Sequence, residues 1–523
     1  MGSPPPHGDL PAEFQSLPPD YASWPAEQQS EWNERRAQFL RRQAELDERR
    51  ENAGAAEPSQ AAKPRELSAV SGAAQQVEEV VKEPVVKPEV SNTLSTKGDA
   101  KQVSIDPASR PITFAFNGGP GSSSVWLHLG ALGPKRVVMD KEGLPLPPPY
   151  ALVENEYCWL DMTDLVFIDP VSTGYSRPVD GEAAKQFHGL DEDISWVGEF
   201  IRLYTTKNQR WASPKFLAGE SYGTTRAAGL SGFLQDTYGM YLNGVVLISA
   251  VLNFQTIRSA PGNDLPYPMF LPTFTATAWY HKKLAPDLQA DLGKAVAESR
   301  DWAVNSYFTV LARGNSLSDA EKDAAVKKLA RLTGLSETYI AGSNLRIAEF
   351  GFMKELLRDQ SATVGRLDSR FKGSDSNNIG VSPDFDPSMA AITGPYTATL
   401  YDYVRRELNY QNDKVYEILT GRVQPWSYAR ANNQYANVAD TLRGAMVKNR
   451  ALRVFVACGY YDLATPMLGA EYTMSHLGVP RALETNITTK YYEAGHMMYI
   501  RIEDLAKLTR DVREFYAGAV GGK

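Results

Sequence analysis

The chain has 523 residues, 43% of them hydrophobic and 10% aromatic, which is enough to bury a sizeable core. A formal net charge of −7, with no dense Lys/Arg block beyond the N-terminal segment, argues against nucleic acid as a partner. Two cysteines, Cys158 and Cys458, exclude a disulfide framework and a cysteine zinc site, and both read as small buried apolar residues.

Residues 1–110 are dominated by proline and charge, as in "GSPPP", "SLPPD" and "KEPVVKPEV", so most of this region is expected to pack no core. Inside it, "WPAEQQSEWNERRAQFLRRQAELDERRE" from Trp24 to Glu51 predicts a helix. Trp32, Phe39 and Leu46 give one apolar residue per heptad, a thin stripe that suits a solvated arm better than a coiled-coil seam. The start has no basic n-region and no apolar h-region, so the sequence as written predicts a cytosolic chain. No apolar run approaches roughly 18 residues, and no membrane span is expected.

From 111 to 254 strand-like and helix-like segments alternate. Ile112–Phe116, Leu165–Ile168, Lys215–Ala218 and Val245–Leu252 read as short buried strands, with helices at Asp193–Tyr204 and Thr224–Leu234. Such alternation predicts a mostly parallel sheet with right-handed crossovers. Residues 255–445 lose the strand signal, with helices expected near 286–312, 318–333 and 395–420 and a long polar loop at 369–388. Strands return at Arg453–Cys458 and Ile487–Tyr492 before an amphipathic closing helix, Ile502–Tyr516, so 446–523 completes the domain. The expected architecture is one α/β domain interrupted by a helical insertion.

Two motifs carry chemistry. The first strand runs into Asn117-Gly118-Gly119-Pro120-Gly121 and then three serines, and glycines this dense imply unusual dihedrals or a close backbone approach. Alone, the cluster is adequately explained as a strand-to-helix turn. The second motif, Gly219-Glu220-Ser221-Tyr222-Gly223, is G-x-S-x-G between a strand and a helix, the setting that forms a nucleophile elbow. A serine hydroxyl needs a histidine base oriented by a carboxylate, and in this arrangement the chain order is Ser, then Asp or Glu, then His. Only six histidines exist. His7, His128, His188, His281 and His476 lie away from any late strand, whereas His496 in "KYYEAGHMMY" directly follows one. Asp462 in "VFVACGYYDLATP" follows the strand before it. The oxyanion of an acyl-transfer intermediate needs two backbone donors, and the candidates are the N–H groups of Tyr222 and Gly119. Glycines in the early loop let backbone reach that position.

"NGGPGSSS", "LVFIDPVSTGYS", "GESYG", "GYYDLATP" and "AGHMM" stand in the order and spacing of the serine carboxypeptidases, the S10 peptidases, which this chain resembles over about residues 112–516, most nearly the bacterial members. The resemblance implies an α/β-hydrolase fold with a helical cap, a Ser221–Asp462–His496 triad and an oxyanion hole from Gly119 and Tyr222. It also implies that Asn117, Gly118 and Glu220 bind the terminal carboxylate of a peptide or protein substrate, with no cofactor and no metal. A glutamate can bind a carboxylate only when protonated, so Glu220 is expected to titrate upward and activity to favour acid. Three departures stand out. Ala131 in "ALGP" replaces a glutamate that relatives often pair with the carboxylate-binding one, and Ala115 replaces a tryptophan, which together predict a less perturbed Glu220. Residues 64–111 offer at best a hairpin-like "VSNTLSTKGDAKQVSI" where relatives have lead-in strands. Relatives are also commonly exported.

The leading expectation is therefore a serine exopeptidase acting through an acyl-enzyme. An esterase or acyltransferase on the same triad is the alternative within enzymes, and a vestigial hydrolase domain that only binds a partner is the alternative outside them.

Overall fold

The computed structural model describes residues 107–521. Six strands form one wholly parallel sheet: β1 (Ile112–Phe116), β2 (Asp164–Phe167), β3 (Lys215–Glu220), β4 (Gly244–Ile248), β5 (Arg453–Gly459) and β6 (Ile487–Tyr492), in the order β6-β5-β4-β3-β1-β2. Its central strands read as unbroken apolar runs because both faces are covered. Val245 and Leu247 of β4 join one buried cluster while Val246 and Ile248 join the other, the period-two alternation of a strand.

Helices α1 (Leu190–Lys207) and α2 (Tyr222–Tyr238) cover one face. In α1, Leu190, Ile194, Val197 and Ile201 recur at helical spacing and are buried, and Asp191, Glu192 and Asp193 occupy its first turn, where the helix dipole favours anions. Between β4 and β5 the chain adds no strand to the central sheet. It forms α3 (Pro266–Tyr280), α4 (Leu292–Trp302), α5 (Asp319–Thr333), α6 (Pro387–Asp402) and α7 (Ala439–Lys448). Helices α3 to α5 enclose a core of their own around Phe270, Phe274, Leu329 and Phe352, with Phe274 and Phe352 stacked at 4.1 Å. The chain then returns through α8 (Met467–Ser475) to the closing helix α9 (Ile502–Val520), which buries Leu505, Leu508, Val512 and Phe515 on the other sheet face.

The expected N-terminal helix at 24–51 and the hairpin within 64–111 lie outside the described residues. The expected strand Val245–Leu252 ends at Ile248, because Ser249 turns away with φ 53°. The expected helix at 395–420 instead starts at Pro387 and its helical path ends at Glu407. Asn409 adopts a left-handed φ of 54°, and residues beyond it run extended, pairing Glu417 with Gly174 and Leu419 with Ser122. The span expected to be one helix at 286–312 is broken into 286–289, α4, a wide turn at 303–307 and a further short helix, Phe308–Arg313.

Candidate active site

Ser221 sits between the last residue of β3 and the first of α2, with φ 60° and ψ −129°. A side chain tolerates that backbone only where the surroundings enforce it, and here the flanking Gly219 and Gly223 pack backbone against backbone. Ser221 N–H donates to Ile248 O at 3.0 Å, which ties the elbow to the end of β4. The residue after Ile248, Ser249, donates its hydroxyl to His496 O at 2.7 Å, so the histidine loop is pinned to the same strand end.

His496 and Asp462 follow β6 and β5, adjacent strands, and this adjacency brings them together. His496 Nδ1 lies 2.8 Å from Asp462 Oδ2, with both side chains buried. Asp462 also accepts from Ala464 N at 2.8 Å, Thr465 N at 2.9 Å and Thr465 Oγ1 at 2.7 Å. Burial alone would lower the His496 pKa, but the charge and hydrogen bond of Asp462 outweigh it and the shift is upward. No hydrogen bond joins Ser221 Oγ to His496 among the described residues; such bonds commonly tighten only when substrate is seated.

The glycine loop lies directly on the elbow. Gly118 is so close that a Cβ there would collide with Tyr222 N and come within 2.7 Å of Gly223 N. Gly119 has φ 100°, a conformation costly for any side chain, and its N–H has no partner among the described residues. Tyr222 is the first residue of α2, so its N–H has no acceptor within the helix. Its phenol accepts from Trp426 Nε1 at 3.1 Å, which fixes the residue. Two backbone donors thus flank the serine and could receive a developing oxyanion.

Asn117 and Glu220 form the adjoining corner. Asn117 Oδ1 accepts from Leu127 N at 3.1 Å, while Nδ2 is buried without a hydrogen-bond partner, although it lies near enough to Glu220 to stabilise a charge there. Glu220 is 3% exposed, and burial pushes its carboxyl up to about 7 against the opposing pull of His496, Tyr499 and Asn117. Ala115 and Ala131, the two departures expected to lessen that shift, are fully buried.

Three further residues escaped sequence reasoning. Tyr499 donates its phenol to Glu220 Oε2 at 2.5 Å. Arg226, buried in α2, binds Asp193 Oδ2 at 2.7 Å and donates to Asn117 O at 2.7 Å, holding the glycine loop from below. Arg366, whose backbone carbonyl accepts from Leu463 N, lies near enough to His496 to lower its pKa somewhat. Of these, only Arg226 carried a signal, being a charge inside a helix that must pack on the sheet. Two other described histidines take structural places: His128 stacks on Phe167 and is pushed down to about 4 by burial, and His281 Nε2 meets Ser369 O. Among the described residues no group of three or more His, Cys, Asp or Glu could hold a metal ion, and no helix is long and apolar enough to cross a membrane.

Several known proteins are similar to this chain. It is 33% identical over 144 residues to the pheromone-processing carboxypeptidase KEX1 of Yarrowia lipolytica, covering 26% of this chain and 21% of that protein. It is 22% identical over 413 residues to the vacuolar serine-type carboxypeptidase ATG42 of Saccharomyces cerevisiae, covering 75% and 71%. The alignments to the first three relatives span between 11% and 21% of those proteins' length. Among solved structures, the Kex1 prohormone-processing carboxypeptidase of S. cerevisiae aligns over 80% of this chain and 89% of its own, at 17% identity and a TM-score of 0.46. The sequence profile of one family covers residues 100–509, and on that match the chain belongs to the serine carboxypeptidase family.

Proposed function

We propose that this chain removes C-terminal residues from peptides or proteins through an acyl-enzyme on Ser221. In this reading His496 takes the proton from Ser221 Oγ as the oxygen attacks the scissile carbonyl carbon, and Asp462 keeps the imidazole oriented and stabilises its positive charge. The N–H groups of Gly119 and Tyr222 receive the oxyanion. His496 then protonates the leaving amine, the C–N bond breaks, and water repeats the sequence to release the acyl group.

The observation that favours a carboxypeptidase over an esterase is the corner beside the nucleophile. A buried carboxyl that titrates near 7 stands next to an amide with an unused donor. Neutral Glu220 and Asn117 Nδ2 can both donate to a carboxylate, whereas an ionised Glu220 would repel it. The competent state, neutral His496 with protonated Glu220, holds as many protons as imidazolium with carboxylate, so the two groups titrate as a coupled pair.

A mass-spectrometric ladder on a mixed peptide set, run beside Ser221→Ala and with C-terminally amidated partners of each peptide, tests this. Sequential loss from free C-termini, blocked by amidation and by the substitution, is expected. Equal cleavage of amidated peptides would turn the reading toward an esterase. Folded protein that neither cleaves nor takes a fluorophosphonate label at Ser221 would end the catalytic reading altogether.

A further inference from the structure

The Glu220 carboxyl has one hydrogen-bond donor of good geometry among the described residues, and it comes from the far end of the chain. Tyr499 lies three residues beyond His496 in the single turn Met498–Ile500, is 2% exposed, and places Oη 2.5 Å from Glu220 Oε2. Its ring is held by contact with Gly130, where a Cβ would come within 2.5 Å of Tyr499 Cε2 and 2.6 Å of Tyr396 Oη. Two buried phenols, from the histidine loop and from α6, therefore converge on the turn that contains Ala131. Tyr396 also feels the charge of Glu220.

Resting on the reading of Glu220 as the carboxylate-binding group, we propose that Tyr499 is a positioning residue that orients the Glu220 carboxyl and selects which of its oxygens carries the proton. A neutral carboxyl has one hydroxyl and one carbonyl oxygen. A phenol this deeply buried keeps its proton and donates it, and burial raises its pKa well above the ordinary tyrosine range. Its partner Oε2 must then be the carbonyl oxygen, which leaves the acidic proton on Oε1 as the donor offered to the peptide's terminal carboxylate. The phenol supplies its hydrogen bond without adding a second carboxyl next to Glu220. The groups that face this carboxyl are His496 and Asp462 from the loops after β6 and β5, Tyr499, Tyr396 from α6, and the uncharged Asn117.

The sign of the effect is set by the donor. Tyr499 stabilises the ionised form of Glu220, so its removal raises the carboxyl's pKa further. Tyr499→Phe is expected to raise KM for free-acid peptides about tenfold with a smaller change in kcat, and to move the alkaline limb of kcat/KM to higher pH. Incorporation of 3-fluorotyrosine at position 499, a stronger donor of nearly the same shape, is expected to move that limb the other way. It serves also if the phenylalanine variant fails to fold. Equal losses on free-acid peptides and on a simple activated ester, or a limb that stays in place in both variants, would overturn the proposal. Glu220→Gln separates this from the parent reading. If that substitution leaves the limb unchanged, Glu220 is not the carboxylate-binding group. If it removes the limb and the position-499 variants do not shift it, only the role of Tyr499 fails.

Discussion

Asp462 and Glu220 are both buried beside His496, yet four hydrogen-bond donors converge on the first and one on the second. Two backbone amides, a threonine hydroxyl and the imidazole surround Asp462. Glu220 meets a single phenol and is carried toward neutrality by desolvation. The difference teaches that two carboxyl groups buried to nearly the same depth beside one imidazole differ in the number of fixed donors they meet. In the proposed function the first faces an imidazolium and the second the substrate's terminal carboxylate.

Removing the charge from the well-supplied carboxyl should have the largest effect. Asp462→Asn is expected to lower kcat by about 10⁴-fold at neutral pH with the fold intact by circular dichroism, since the imidazole loses both its orientation and its counter-charge. A loss of only a few-fold would mean that Thr465 and the loop amides alone hold His496. Next comes the space between the donors. Gly118→Ala would push a methyl into Tyr222 N, and a drop in kcat of about 10²- to 10³-fold is expected, measured on free-acid peptides and on a simple activated ester alike because the oxyanion is common to both. An effect confined to free-acid peptides would assign Gly118 to carboxylate binding instead.

The smallest change falls on the poorly supplied carboxyl. Glu220→Gln should cost less than about tenfold in kcat/KM near pH 5 and abolish the decline above about 7, because an amide donates at every pH. Stability gives an independent check of sign. The folded pKa is raised from 4.5 to about 7, so the native chain loses stability as pH rises through that window. The melting temperature of the glutamine variant relative to the native chain should therefore climb across it.

The sheet was legible both in a fully buried interior strand and in a half-buried edge strand. Ile112–Phe116 and Ile487–Tyr492 match their expected limits residue for residue, and the strand-then-loop context of Ser221, Asp462 and His496 rests on such strands. Errors arose where local pattern continues past a backbone event. Helix-forming residues run on through 408–420, but Asn409 turns left-handed, and hydrogen bonds to the glycine loop capture residues 418–420 as extended chain. Tyr499 was illegible for another reason. It is one of 26 tyrosines, and its partner lies 279 residues away, so no local spacing distinguishes it. The same holds for Arg366, whose nearness to His496 depends on how the chain between β4 and β5 is folded.

The extended return of that chain bears on how the protein can be altered. Thr420 N–H binds Gly121 O at 2.9 Å and Ser123 N–H binds Ile418 O at 2.9 Å, so this segment is stitched, amide to carbonyl, along the very loop that carries Gly119. If the proposed oxyanion role of Gly119 holds, exchanging the segment for one of different length is expected to alter the rate as well as the selectivity. Engineers seeking new substrate preferences would do better to leave 417–423 as an anchor and vary the helices upstream of it.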